Sequence, residues 1–151
     1  EPDGGDIEVI FTSPGGEVIS GMALWDYLAD LRRSLEASGS RLITHTQGFA
    51  ASMAGILLQA GTVRRMGAEA YVLIHQVQAG MMGSWGELED RMKWLDKVQG
   101  RILDIFTARA AEATGKSVKA TRRFIEVNWK RTDWWLSSGE CLRHGFVDEV
   151  V

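Results

Sequence analysis

The chain has 151 residues, 45% hydrophobic and 25% charged, a composition that excludes a disordered or low-complexity protein. Seventeen Lys and Arg against 20 Asp and Glu leave a net charge of −3, which excludes the basic footprint of a nucleic-acid or anionic-membrane binder. One cysteine excludes an internal disulfide, and with three histidines it argues against a zinc site.

This length predicts one domain, residues 1–151. The uncharged stretch Leu42 to Val63 is long enough to span a membrane. It contains Thr44, His45, Thr46, Gln47, Ser52 and Gln59, however, so no membrane segment is expected. The start, Glu1-Pro2-Asp3-Gly4-Gly5-Asp6, has no signal-peptide pattern and no initiator Met, so a processed product or a piece of a longer chain is expected.

Ile7 to Thr12 predicts a short buried strand, and Ser13-Pro14-Gly15-Gly16 breaks it. A helix is predicted over 20–37, a second strand over 41–46, a turn at Gly48, and an apolar helix over 52–60 closed by Gly61. Ala70 to His75 predicts a third strand. Three glycines make 76–86 irregular. A long amphipathic helix follows over 87–114, with Leu88, Met92, Leu95, Val98, Ile102, Ile105 and Phe106 on one face. Shorter helices are predicted over 117–127 and 137–144, then a strand or an extended tail over 146–151. Strands alternating with helices predict an α/β fold with a largely parallel sheet.

Three residues invite a chemical reading. Ser52 lies where a helix follows a strand, among small neighbours, beside amides that favour a developing oxyanion. By itself it reads first as a helix N-cap. His75 ends the third strand, where catalytic groups gather in open α/β sheets, yet alone it is as well a satisfied sheet-edge histidine. Asp133 alone reads as a loop carboxylate. Together the three have the types of a Ser-His-Asp triad. His45, seven residues before Ser52, is the alternative base. Arg64-Arg65 and the other basic pairs read as solvated surface or inter-subunit salt bridges, Cys141 as a buried apolar residue, and His144 as a helix-closing residue.

Four segments in order carry a resemblance. They are Ser13-Pro14-Gly15-Gly16 with Gly21-Met22, Gly48-x-Ala50-Ala51-Ser52-Met53, Ile74-His75-Gln76, and Asp133-x-x-Leu136-Ser137 with Glu140 and Gly145-x-Val147-Asp148. Together they resemble the ClpP family of serine peptidases, within the ClpP/crotonase superfamily. The intervals from Gly16 to Ser52 and from His75 to Asp133 are longer than the family's, and Val77 stands where the family usually has proline.

The resemblance implies repeated β-β-α and βαβ units with a protruding handle helix, here the helix from about Glu87. It implies Ser52 as nucleophile, His75 as base, Asp133 as the residue orienting it, and the Gly16 and Met53 amides as oxyanion hole. The activity implied is cofactor-free hydrolysis of protein or peptide substrates by a cytoplasmic homo-oligomer of stacked rings. An AAA+ unfoldase partner is implied with less support, since the family's N-terminal docking segment has no counterpart in these residues. A catalytically silent subunit and a phage-type head-maturation protease are the alternative readings.

Overall fold

The computed structural model describes residues 5–130 and 133–151. The opening Glu1–Gly4 and the Arg131-Thr132 pair that precedes Asp133 lie outside the described residues. The elements run β1 (Ile7–Ser13), α1 (Val18–Ala37), β2 (Leu42–Ala51), α2 (Met53–Leu58), β3 (Val63–Met66), β4 (Tyr71–Ile74), α3 (Trp85–Thr114), α4 (Val118–Trp129), β5 (Trp134–Ser137), α5 (Ser138–His144) and β6 (Glu149–Val150). Six strands form one sheet in the order β5-β4-β2-β3-β6, with β1 also on β2. Every pairing is parallel except β4 with β5. This is the expected α/β fold with a largely parallel sheet.

β2 is the hub. Its first half, Leu42–Thr46, pairs with β1, and Ile43–Thr46 pairs with β3; its last residues, Phe49–Ala51, pair with β4. Between the two halves the β1 register jumps from Phe11↔Thr46 to Ser13↔Ala50. The jump leaves extra β2 residues unpaired around Gly48, whose φ of 71° no residue with a Cβ adopts easily. The Thr12 hydroxyl donates to the Gln47 carbonyl and closes the bulge. The turn expected at Gly48 is therefore a bulge inside one longer strand, which re-aims β2 toward Ser52.

Helix ends follow their caps. α1 starts two residues earlier than expected because the Glu17 carboxylate accepts from the Ile19 and Ser20 amides at 2.8 and 2.7 Å. Ser84 with Glu87, and Ser137 with Glu140, form capping boxes at α3 and α5. Gly115 and Gly145 end those helices in the left-handed region.

Two strands were not expected. β3 is four residues long and half of it is arginine, which hides an apolar period. Arg64 is 1% exposed, because its guanidinium pairs with Asp148 and also donates to Gln59 Oε1 at 2.8 Å and the Gly145 carbonyl at 2.7 Å. The surface or inter-subunit reading of Arg64 is thus corrected: the pair is internal and ties β3 to the C-terminal tail. β5 is a short antiparallel strand whose Trp134-Trp135 precedes a helix. The core gathers under the sheet from α2, α3, α4 and the tail, around Phe106, Ile125, Trp129, Leu136 and Phe146. Among the described residues, no helix is long and apolar enough to cross a membrane.

Candidate active site

Ser52 joins β2 to α2. Its amide donates to the Leu73 carbonyl at 3.0 Å, continuing the β2–β4 ladder one residue past Ala51. At Ser52 the chain turns sharply, with φ 56° and ψ −125°. No other non-glycine among the described residues has positive φ. An N-cap serine has extended backbone and lends its oxygen to a first-turn amide. Ser52 does neither, since no side-chain cap hydrogen bond forms. The N-cap reading is corrected. The conformation costs about 1–3 kcal/mol and leaves the hydroxyl unclaimed by its own helix.

The glycine loop locks this turn in place. A Cβ on Gly15, which has φ 99°, would lie 2.7 Å from the Ala51 carbonyl and 2.8 Å from Ser52 Cβ. No side chain fits at Gly15. Gly16 next to it has open space, so its backbone is reachable from outside. On α1, a Cβ at Gly21 would overlap the Met53 side chain, so the Gly21 gap seats the residue that follows Ser52. The Met53 amide is the first of α2, which no intrahelical carbonyl can reach.

His75 follows the last residue of β4 and is half-buried. Its Nδ1 lies 2.6 Å from the Gln76 carbonyl. A carbonyl only accepts, so Nδ1 carries a proton, and in the neutral ring Nε2 then has the lone pair. Ser52, Met53, Gly16 and His75 line one cleft of about 310 Å³, together with Ile56, Ile74, Ile102 and Phe106. Four of the five residues expected at a site therefore meet. Ile102 and Phe106 come from the apolar face of α3, and that face was the only signal that α3 would wall the cleft.

Asp133 is exposed and does not line the cleft. The β4–β5 register runs Tyr71↔Ser137 to Ile74↔Trp134; continued one step past both strands, it would set Asp133 opposite His75. Among the described residues, no hydrogen bond links Ser52, His75 and Asp133.

The other histidines serve elsewhere. His45 is buried on β2 with Nδ1 3.0 Å from Glu8 Oε1, and it is not among the residues lining the cleft, which removes it as the alternative base. His144 packs among Phe124, Trp134 and Phe146. Burial, with Arg143 and Lys116 nearby, lowers its pKa. Cys141 is fully buried, and burial pushes its thiol up to about 12. Among the described residues, no group of three His, Cys, Asp or Glu side chains could hold a metal ion.

A serine hydroxyl, an imidazole with a free Nε2 and two accessible amides form a set suited to acyl transfer. A family model described as Clp protease matches residues 1–151. The chain is 29% identical over 150 residues to an ATP-dependent Clp protease proteolytic subunit of Porphyromonas gingivalis, covering 98% of this chain and 60% of that protein. It is 31% identical over 147 residues to proteolytic subunit 1 of Leifsonia xyli, covering 96% and 66%. It is 32% identical over 147 residues to proteolytic subunit 2 of Tropheryma whipplei, covering 96% and 73%. The chain thus spans between 60% and 73% of the length of these relatives. With the family model matched over the whole chain and three of the four sequence boxes lining one cleft, the chain belongs to the Clp protease family.

Proposed function

We propose that the chain is a serine endopeptidase that cleaves peptide bonds through an acyl-enzyme. The observation that carries this reading is Ser52: a strained serine between strand and helix, without a cap bond, in a cleft shared with His75, Gly16 and Met53. Ser52 Oγ attacks the substrate carbonyl carbon while His75 Nε2 takes its proton. The Gly16 and Met53 amides stabilise the oxyanion. The intermediate collapses, the amine leaves with the proton from His75 Nε2, and Ser52 holds the acyl group as an ester. A water, deprotonated by the same Nε2, then releases the acid.

Asp133 is the carboxylate of the set in this reading. The register one step beyond Ile74↔Trp134 supports it. Its work is to stabilise the imidazolium that forms while His75 holds the proton. The reading extends to a cytoplasmic homo-oligomer of stacked rings. α3 supports that, because its first half exposes Trp85, Met92 and Trp94, apolar surface that subunit contacts would cover. The names of the relatives, proteolytic subunits of an ATP-dependent protease, support an AAA+ unfoldase as partner and proteins or peptides as substrates.

Intact-mass measurement after treatment with a fluorophosphonate tests the reading, with Ser52→Ala as control. A single adduct on the chain that is lost in Ser52→Ala is expected. An adduct on another residue would overturn the assignment. No adduct on folded, assembled protein would favour a catalytically silent subunit, a reading that the missing hydrogen bonds among the three side chains would then explain.

A further inference from the structure

The face of α3 that packs on the core includes Val98, Ile102, Leu103 and Phe106, and the polar residue Gln99 lies next to Val98 at the start of that stripe. A half-buried amide side chain on an apolar face is costly unless it has a partner. Gln99 has one: its Oε1 accepts the Val77 amide proton, with N···O 3.3 Å. The Val77 amide and the Gln76 carbonyl are the two ends of one peptide unit. His75 Nδ1 holds the carbonyl end at 2.6 Å, and Gln99 holds the amide end. That plane is therefore pinned from both sides, by the imidazole and by α3.

The orientation of this plane decides which nitrogen of His75 carries the proton. With the carbonyl toward the ring, Nδ1 must be the donor and Nε2 the acceptor. A plane rotated half a turn would aim its N–H at the ring and favour the opposite tautomer, with Nε2 protonated and unable to act as base. Residue 77 is a valine and not a proline. Proline fixes φ covalently and has no N–H. Valine has the N–H but leaves the backbone free to turn, and the Gln99 bond supplies the missing restraint.

We infer that Gln99 is a positioning residue: it holds the Gln76–Val77 peptide so that the Gln76 carbonyl keeps His75 in the tautomer with a free Nε2. The inference rests on His75 being the base proposed above.

The test reads the tautomer and the reactivity of the full chain separately. Nitrogen-15 shifts and couplings of labelled histidine give the His75 tautomer, assigned with His75→Gln. The rate of fluorophosphonate labelling gives the reactivity of Ser52. Wild type should show the Nδ1–H tautomer. Gln99→Met, which keeps length but has no strong acceptor, should give mixed tautomers and label about 10- to 100-fold more slowly. Gln99→Glu, which keeps an acceptor oxygen at the same reach, should restore the tautomer and most of the rate. In Val77→Pro there is no N–H to hold, so adding Gln99→Met should change little. A pure Nδ1–H tautomer in Gln99→Met, or a labelling rate at or above wild type, would overturn the role of Gln99. His75→Gln separates the two levels. If it labels like wild type, the base assignment falls. If it fails to label while Gln99→Met labels normally, the base assignment stands and Gln99 has no positioning role.

Discussion

The two sides of the cleft are built differently. On the Ser52 side every restraint is short-range and hard. The turn is clamped by Gly15 against the Ala51 carbonyl, hydrogen-bonded to Leu73, and followed by a helix of which only Leu57 is not fully buried. On the His75 side the residues lie just past the ends of β4 and β5. His75 is half-buried, Asp133 is exposed, and what holds the imidazole is one backbone carbonyl and, behind it, one long hydrogen bond from α3. Ser52, the proposed nucleophile, is preorganised by the fold itself, whereas His75, the proposed base, depends on α3. α3 also carries the exposed Trp85 and Trp94, so contacts made along that helix bear on the base before they bear on the nucleophile.

The largest expected effect breaks the site from its rigid side. Ser52→Ala should lower peptide hydrolysis by about 10⁴-fold or more and abolish the fluorophosphonate adduct, while circular dichroism and oligomer size stay unchanged. Loss of assembly together with activity would mean that Ser52 is part of the scaffold. Asp133→Asn, on the loosely held side, should lower turnover by about 10²-fold, with KM nearly unchanged. The effect is smaller because the Gln76 carbonyl already holds Nδ1–H in this structure. A loss as large as that of Ser52→Ala would mean that Asp133, and not that carbonyl, holds the ring in the working enzyme.

Gly15→Ala tests the clamp. Its Cβ would collide with backbone on both sides of Ser52, and φ 99° is unfavourable for any residue with a side chain. A loss of about 3 kcal/mol in urea unfolding is expected, with labelling of Ser52 slowed in the fraction that folds. Wild-type stability would show that the loop can move away, and the contrast between a hard and a soft side would weaken.

Much of this was legible in the sequence, for physical reasons that also explain what was not. The face of α3 announces itself by its apolar period, and Ile7–Phe11 as a strand, though not as the buried strand expected: Ile7 is 41% and Ile10 54% exposed. β3 does not, because the charge of the buried Arg64 is paired by Asp148, 84 positions away. No local pattern encodes that pairing. The boxes that hold Ser52, His75, Gly16 and Met53 were legible from their order, and the four residues line one cleft, but the reason Ser52 is not an N-cap is a dihedral angle. Gln99 was hidden for the opposite reason. It is one polar residue at the start of an apolar stripe, ordinary until the Val77 amide is seen beside it.

The smallest effect separates stability from the site. Neither Arg64 nor Asp148 lines the cleft. Burial alone would raise the Asp148 pKa, but hydrogen bonds and charge attraction from Arg64 prevail and hold it below the ordinary 3.8. A carboxylate with a depressed folded-state pKa contributes stability that is complete above its unfolded pKa and is lost as pH falls through the folded value. The Arg64–Asp148 pair should therefore help fully at neutral pH and fade below about pH 4. Asp148→Ala leaves the Arg64 guanidinium buried without its carboxylate. It should cost about 2–3 kcal/mol at pH 7, less than a fully buried pair because Asp148 is itself partly exposed. At pH 3 the difference from wild type should shrink, and at neutral pH Ser52 labelling of the folded variant should match wild type. A variant that keeps its stability but loses labelling would mean that the C-terminal tail reaches the cleft through β3, and the division of the site into a rigid and a dependent side would have to include it.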